Sequence, residues 1–263
     1  MIKVNGPATA EWPSLDVATS GSGPALVLLH GGTGSRNHWV RNIPELSQSF
    51  TIHAVDSPGF GDSPAAARDM DPDLYLDWVA CAVKQLGDSV ALAGFSFGGV
   101  VAAAVAARLG SRVNSLSLLG PGGFGVPKHR NIKMRRMPNP EAGDHARREV
   151  IAHNLGHWML LHSPEPSDPV VDLHWENIRR ARFDSRKLSF RDTTVANIAN
   201  ARCPVQVIWG AEDPLATPSI DARAHRIAEA RPDVEFHRVP KAGHWVQYEM
   251  PAAVNEILTA FHS

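Results

Sequence analysis

Short runs of apolar residues that end in turn-forming residues recur along the chain, separated by stretches with helical spacing. The runs are ALVLL (25–29), IHAV (52–55), VALA (90–93), LSLL (116–119), VQVIW (205–209) and VEFHRV (234–239). The helix-like stretches cover 73–86, 97–109, 220–230 and 251–261. Continuous apolar runs of this length are typical of strands buried on both faces, and their alternation with helices predicts an α/β fold with a mostly parallel sheet and helices on both of its faces. Ligands bind at the carboxyl ends of the strands in such sheets.

The alternation stops between residues 121 and 192, where no convincing strand occurs and the sequence opens with the glycine- and proline-rich stretch GPGGFGVP. We interpret 121–192 as a helical cap inserted into a core domain formed by 1–120 and 193–263. From Val126 to Phe190 there are 12 Lys/Arg and 8 Asp/Glu, a net charge of +4, which leaves −5 for the remainder. A basic lid over a pocket suits an anionic substrate, and a solvated helical surface rich in arginine is the alternative interpretation.

Composition narrows the classes of partner. The chain has 263 residues, of which 43% are hydrophobic and 20% charged, and its net charge is −1. It therefore lacks the positive electrostatic field that binding to nucleic acid requires, and a small-molecule substrate is expected. Two cysteines are too few for a disulfide-stapled secreted scaffold, the N-terminus does not resemble an export signal, and the longest small-apolar run spans only residues 100–107. We therefore expect a cytoplasmic protein without a membrane segment. A homo-oligomer is compatible with the sequence, which leaves the oligomeric state open.

A G-x-S-x-G sequence centred on Ser96 supplies a candidate nucleophile. The apolar run VALA leads directly into the motif, and GGVVAAAVAARL leaves it with strong helix-forming character. This strand, turn and helix setting lifts a serine hydroxyl above the sheet and places it over a helix N-terminus.

A serine needs a base, and the base needs an orienting group. His244 lies in KAGHW, just after the last predicted strand, and is the candidate base. No Asp or Glu occurs from Phe97 to Pro140, so the carboxylate must come from the loop after VQVIW, where Asp213 is the first choice and Glu212 the fallback. The order Ser, Asp, His along the chain is the one expected of an α/β-hydrolase.

The run ALVLL leads into HGGTG (30–34), a flexible loop able to direct a backbone N–H at an oxyanion. Gly32 is the first choice for this donor and Thr33 the second, together with the N–H of Phe97, the residue after the nucleophile. Neither of the common phosphate-binding glycine patterns is present in this loop.

These motifs, together with DSPGFGDS (56–63), GAEDPLA and AGHWVQYE, resemble the α/β-hydrolase superfamily over nearly the whole chain outside the cap. The resemblance implies an eight-stranded sheet, the triad Ser96, Asp213 and His244, and the oxyanion donors Gly32 and Phe97. DSPGFG, GPGGFG, HWENIRR (174–180) and GHW followed by Q-x-E are similar to the meta-cleavage-product hydrolases, which split a carbon–carbon bond in ring-opened catechol products. Substrate contacts are predicted at Gly31, Phe95, His174, Trp175, Arg180 and Trp245.

Two positions depart from that subfamily. Phe95 stands where an Asn usually precedes the nucleophile, and His174 stands where an Arg precedes the cap Trp; both family residues hold the polar acid end of the substrate. Arg179 or Arg180 could replace the missing guanidinium, and an ordinary exposed helix charge is the alternative for each.

No cofactor is implied, and no metal site is expected, since the pair His153 and His157 lacks a third ligand. The favoured function is a serine hydrolase that cleaves a carbon–carbon bond in a ring-fission product. A carboxylesterase or lactonase is the first alternative, and a non-catalytic receptor of the same fold is the alternative from another class.

Overall fold

The computed structural model describes residues 12–127 and 133–263. Seven strands occur in this part of the chain: β1 Val17–Ser20, β2 Ala25–Leu29, β3 Thr51–Val55, β4 Val90–Phe95, β5 Val113–Leu119, β6 Val205–Gly210 and β7 Glu235–Val239. They form one sheet in the order β1-β3-β2-β4-β5-β6-β7, in which only the β1–β3 pair is antiparallel among the described residues. The predicted fold class is confirmed.

The described residues contain seven strands rather than the eight predicted. The eight-strand count came from the family resemblance, whereas apolar runs indicate only six. The seventh observed strand, β1, is a partly exposed edge strand of sequence VATS, which has no apolar run to reveal it. Residues 1–11 lie outside the described part of the chain.

Helices cover both faces of the sheet. The described residues form α1 Ile43–Leu46, α2 Pro72–Lys84, α3 Phe97–Leu109, α4 Gly143–Trp158, α5 Pro169–Arg180, α6 Arg186–Ser189, α7 Thr194–Asn200, α8 Ile220–Ala230, α9 Val246–Glu249 and α10 Pro251–His262, with three short 3-10 turns. All four helix-like stretches identified from the sequence are helices here. None of the described helices combines the length and the apolar character needed to span a bilayer.

The core consists of two apolar layers separated by the sheet. Along β2, Val27 and Leu29 contribute to one layer and Leu26 and Leu28 to the other, because successive strand side chains point to opposite faces. The first layer packs against α2, α3, α7 and α8, and the second against α1, α4, α5, α9 and α10. Burial on both faces explains why these strands read as unbroken apolar runs.

The segment between β5 and β6 is helical, with α4, α5 and α6 in the predicted cap range and no strand among its described residues. Its two ends meet near the sheet, where Phe124 and Asp192 form an isolated bridge. The Gly123 N–H donates to the Ser189 carbonyl at 2.9 Å, and the Thr193 N–H donates to the Gly123 carbonyl at 3.0 Å. The division into a core domain and a cap stays a prediction.

Candidate active site

Ser96 occupies a sharp turn between the end of β4 and the start of α3. Its φ angle is +53°, a left-handed conformation that costs a residue with a side chain about 1–2 kcal/mol. The Ser96 N–H donates to the Leu119 carbonyl at 2.8 Å, which ties the turn to β5. A Cβ at Gly98 would lie 2.3 Å from the Leu29 carbonyl oxygen, so only glycine permits this close approach. The turn raises the serine hydroxyl above the carboxyl edge of the sheet.

A buried hydrogen-bond chain joins the three residues predicted as a triad. The distance from His244 Nε2 to Ser96 Oγ is 2.9 Å, and the distance from His244 Nδ1 to Asp213 Oδ2 is also 2.9 Å. The other carboxylate oxygen of Asp213 accepts the Leu215 N–H at 2.8 Å. The side chains of His244 and Asp213 are 3% and 1% exposed. One ring nitrogen of His244 is therefore hydrogen-bonded to the Ser96 hydroxyl, and the other is hydrogen-bonded to the Asp213 carboxylate.

These side chains meet because β4, β6 and β7 are parallel and end at the same edge of the sheet. β5 lies between β4 and β6 and is followed by Gly120, where a Cβ would be 3.2 Å from the His244 ring and 3.3 Å from Asp213 Oδ2. A side chain at the end of β5 would thus displace the His–Asp pair. The geometry agrees with the lack of any acidic residue just after β5.

Glu212, the fallback for the carboxylate, does not contact His244. Its Oε2 accepts the Ala242 N–H at 3.3 Å and so helps to hold the loop that carries His244. The imidazole is hydrogen-bonded to Asp213 instead.

Gly32 and Phe97, the predicted oxyanion donors, face the same space. A Cβ on Gly32 would lie 3.6 Å from the Phe97 Cβ and 2.3 Å from the hydroxyl of Ser185 in the helical segment. Phe97 is the first residue of α3, and the first N–H groups of a helix have no partner within the helix. Both residues line the cavity that contains Ser96. An oxygen bound there would be close to the nucleophile.

Two buried histidines that sequence reasoning missed hold the neighbouring Gly31. His30 donates from Nδ1 to the Gly31 carbonyl at 2.8 Å and accepts the Ser57 N–H on Nε2 at 3.0 Å. His38 Nδ1 accepts the Gly31 N–H at 3.1 Å. Burial lowers the pKa of both rings, which favours the neutral forms that can accept these bonds. With its N–H engaged by His38, Gly31 leaves the donor role to Gly32. The sequence signal for them was weak, since His30 opens the loop HGGTG and His38 follows it four residues later.

A cavity of about 970 Å³ opens above Ser96. Its inner lining is apolar and buried, formed by Phe95, Phe97, Met159 and Phe183. Of the six predicted substrate contacts, Gly31 and Phe95 are in this lining.

His174 and Trp245 are buried outside the cavity lining. Trp245 donates from its indole to the His38 carbonyl at 2.9 Å and stacks on Tyr248. His174 is 3% exposed, its Nδ1 has no hydrogen-bond partner among the described residues, and burial lowers its pKa to about 4. At neutral pH His174 is therefore uncharged and cannot supply the positive charge of the family's arginine.

Trp175 and Arg180 also lie outside the cavity lining. The Trp175 ring is covered by the Arg147 guanidinium at 4.6 Å. Arg180 donates to Asp62 at 2.6 Å and lies beside Glu176, so its charge is directed to the surface of the core. α5 presents Arg180 to these carboxylates, and its role as a substrate contact stays a prediction.

Glu249 links the loop of His244 to the helical segment. One carboxylate oxygen accepts the Gly243 N–H and the other accepts the Leu161 N–H, both at 2.7 Å. Burial raises the pKa of Glu249, although the two backbone bonds oppose this rise. In the sequence Glu249 was identified only as the final residue of the motif GHW followed by Q-x-E, without a role of its own.

The described residues contain one acidic cluster with spacing suited to a cation, formed by Asp16, Asp56 and Asp62. The Arg36 guanidinium pairs with all three carboxylates. The three carboxylates of this cluster therefore already have a positively charged partner in Arg36.

Residues 26–257 match the model of the Alpha/beta hydrolase family. The chain is 29% identical over 252 residues to the dihydrolipoyllysine-residue acetyltransferase component of the acetoin cleaving system of Pseudomonas putida, matching 91% of this chain and 63% of that longer protein. It is 27% identical to the 2-hydroxy-6-oxononadienedioate/2-hydroxy-6-oxononatrienedioate hydrolase of Comamonas testosteroni, with 92% and 88% of the two chains covered. It is 28% identical to the pimeloyl-acyl-carrier-protein methyl ester esterase of Chromobacterium violaceum, with 88% and 91% covered.

The crystal structure of a meta-cleavage product hydrolase superposes with a TM-score of 0.73 at 22% identity and covers 94% of this chain and 93% of its own. This likeness concerns the fold. The match to the family model covers most of the chain, and two of the three named relatives are a hydrolase and an esterase. The chain therefore belongs to the alpha/beta hydrolase family and is an enzyme of that fold.

Proposed function

We propose that this protein is a serine hydrolase that cleaves a small acyl compound, with Ser96 as nucleophile, His244 as general base and Asp213 as the group that orients the imidazole. The observation that carries the proposal is the unbroken hydrogen-bond chain from the Ser96 hydroxyl through His244 to the buried Asp213 carboxylate. No cofactor is needed for this chemistry.

In the proposed mechanism, Ser96 Oγ attacks the acyl carbon while its proton passes to His244 Nε2. The Nδ1–H of the resulting imidazolium donates to Asp213, whose negative charge stabilises it. The backbone N–H groups of Gly32 and Phe97 stabilise the tetrahedral oxyanion. His244 then protonates the leaving group, and a water activated by the same imidazole releases the acyl group from Ser96.

The lining near Ser96 favours a carboxylic ester over a ring-fission acid. Phe95 is apolar, His174 is neutral because burial lowers its pKa to about 4, and Arg180 is paired with Asp62 outside the cavity. The carboxylate of a ring-fission dienoate would find no cation at these positions. The esterase relative supports this choice, and the Comamonas testosteroni hydrolase supports carbon–carbon cleavage as the second candidate.

Steady-state assays on p-nitrophenyl butyrate and on a ring-fission dienoate would test the proposal, together with labelling by a fluorophosphonate. We expect ester hydrolysis and labelling in the native protein and neither in Ser96→Ala. Turnover of the dienoate alone would favour the second candidate. A native protein that neither turns over substrate nor labels would overturn the hydrolase proposal and favour a receptor.

We also propose that the protein acts in the cytoplasm on a small molecule. Cys81 and Cys203 are both free, which suits a reducing compartment. Cell fractionation checks this location, and recovery in a periplasmic or extracellular fraction would contradict it.

A further inference from the structure

The lining of the active-site cavity changes character with depth. Around Ser96 it is apolar and buried, as described above. Farther out, five charged residues line the cavity, of which all but the partly buried Lys187 are exposed: Arg68, Arg182, Asp184, Arg186 and Lys187. The exposed members mark the mouth of the cavity, and we refer to these five residues as the charged mouth.

Only part of the positive charge at the mouth is compensated. Arg186 and Asp184 form a bidentate pair with two bonds of 2.8 Å, so these two charges cancel. Among the described residues, no carboxylate lies within ion-pair distance of Arg68, Arg182 or Lys187. Three cations without an ion-pair partner among the described residues therefore line the mouth of the cavity, although the net charge of the whole chain is only −1.

The arrangement of these cations is built by contacts across the chain. Arg182 donates to the Ser63 carbonyl at 2.7 Å and to the Gly61 carbonyl at 3.2 Å, which holds the guanidinium between the core and the helical segment. Lys187 donates to the Arg68 carbonyl, which joins the two sides of the mouth. Backbone carbonyls hold Arg182 and Lys187 in place without neutralising them, so their charge remains available to a ligand.

We propose that the physiological substrate carries a negatively charged group, such as a carboxylate, at the end of its acyl chain far from the scissile bond. The reacting carbonyl would lie at Ser96 in the apolar inner cavity, and the distal anion would lie at the charged mouth beside Arg68 and Lys187. This proposal rests on the proposed function and adds the substrate class. It places the anion on the acyl side of the scissile bond, whereas the dienoate carboxylate of a ring-fission product is on the leaving-group side.

The test compares two esters with the same leaving group and a six-carbon acyl chain, p-nitrophenyl hexanoate and mono-p-nitrophenyl adipate. We expect kcat/KM to be about threefold to tenfold higher for the adipate at low ionic strength, mostly through KM, because exposed charge pairs contribute modestly. The preference should fall towards equality at about 0.5 M salt, where charges are screened within a few ångströms.

The double substitution Arg68→Gln with Lys187→Gln should remove most of the preference for the adipate. Lys84→Gln is the matched control, because Lys84 is an exposed cation at the end of α2 outside the cavity lining, and its ratio should remain that of the native protein. Hydrolysis of the hexanoate without any preference for the adipate, or a preference that survives the double substitution, would overturn the proposal. Hydrolysis of neither ester would overturn the proposed function and this proposal with it.

Discussion

The substitution Asp213→Asn tests the role of the carboxylate without changing its size. In the native protein Asp213 Oδ1 accepts the Leu215 N–H at 2.8 Å and Oδ2 accepts the His244 Nδ1–H at 2.9 Å. An asparagine has one acceptor oxygen, and the Leu215 N–H selects it. The amide NH2 then faces His244 Nδ1, which must become an acceptor.

The consequence for His244 is a change of tautomer. With Nδ1 accepting, the ring proton sits on Nε2 and points at the Ser96 hydroxyl, so the ring cannot take the serine proton. Where the wrong tautomer was imposed in a serine protease triad, kcat fell about 10⁴-fold. At 1.36 kcal/mol per factor of ten, a loss of this size corresponds to about 5.4 kcal/mol of transition-state stabilisation. The fold should remain intact because both side-chain positions keep a hydrogen bond.

The assay is steady-state hydrolysis of p-nitrophenyl butyrate, with Glu212→Gln as the matched control. Among the described residues the Glu212 carboxylate accepts one hydrogen bond, from the Ala242 N–H at 3.3 Å, so its substitution should lower kcat less than about tenfold. Thermal unfolding of both variants shows whether the fold is retained. An Asp213→Asn enzyme within tenfold of the native kcat, or an equal loss in Glu212→Gln, would refute the reasoning.

Three further predictions follow from the contacts. Gly32→Ala should lower kcat by at least tenfold, because its Cβ would lie 2.3 Å from the Ser185 hydroxyl, and Ser185→Gly in the same chain should restore much of the rate; no restoration would contradict the clash. Glu249→Gln should lower kcat about tenfold with little change in KM, because the amide NH2 cannot accept a hydrogen bond from one of the two backbone N–H groups, those of Leu161 and Gly243. Glu256 is exposed, and Glu256→Gln is the control that should match the native enzyme. Burial lowers the pKa of His262 to about 3, so below pH 6.5 this residue takes up a proton in the unfolded chain that it does not take up in the folded chain. Between pH 7 and pH 5 the free energy of unfolding should therefore fall by about 2 kcal/mol more in the native protein than in His262→Gln, because the other buried histidines contribute equally to both. Urea unfolding measures this difference, and equal pH dependence of the two proteins would contradict the prediction.

Much of the architecture could be predicted from the sequence because it depends on local pattern. Strands buried on both faces need continuous apolar runs, and a helix such as α3 shows its burial in an unbroken series of apolar and small residues. The G-x-S-x-G turn needs small residues wherever it occurs. The candidate carboxylate could be assigned by exclusion, since no acidic residue follows β5 and Asp213 is available after β6. These inferences need only the order of residues and the rule that parallel strands end at one edge.

The tertiary structure alone decided where the long side chains point. Arg180 was a reasonable substrate ligand by its place on α5, but contact with Asp62, 118 positions earlier, directs it to the surface. His38 holds Gly31 through a contact between two loops, and Ser185 reaches Gly32 from the helical segment. Such contacts depend on how distant elements pack, and neither spacing nor apolar period encodes them. The sequence determined which residues could carry the chemistry, and the packing decided which of them line the cavity above Ser96.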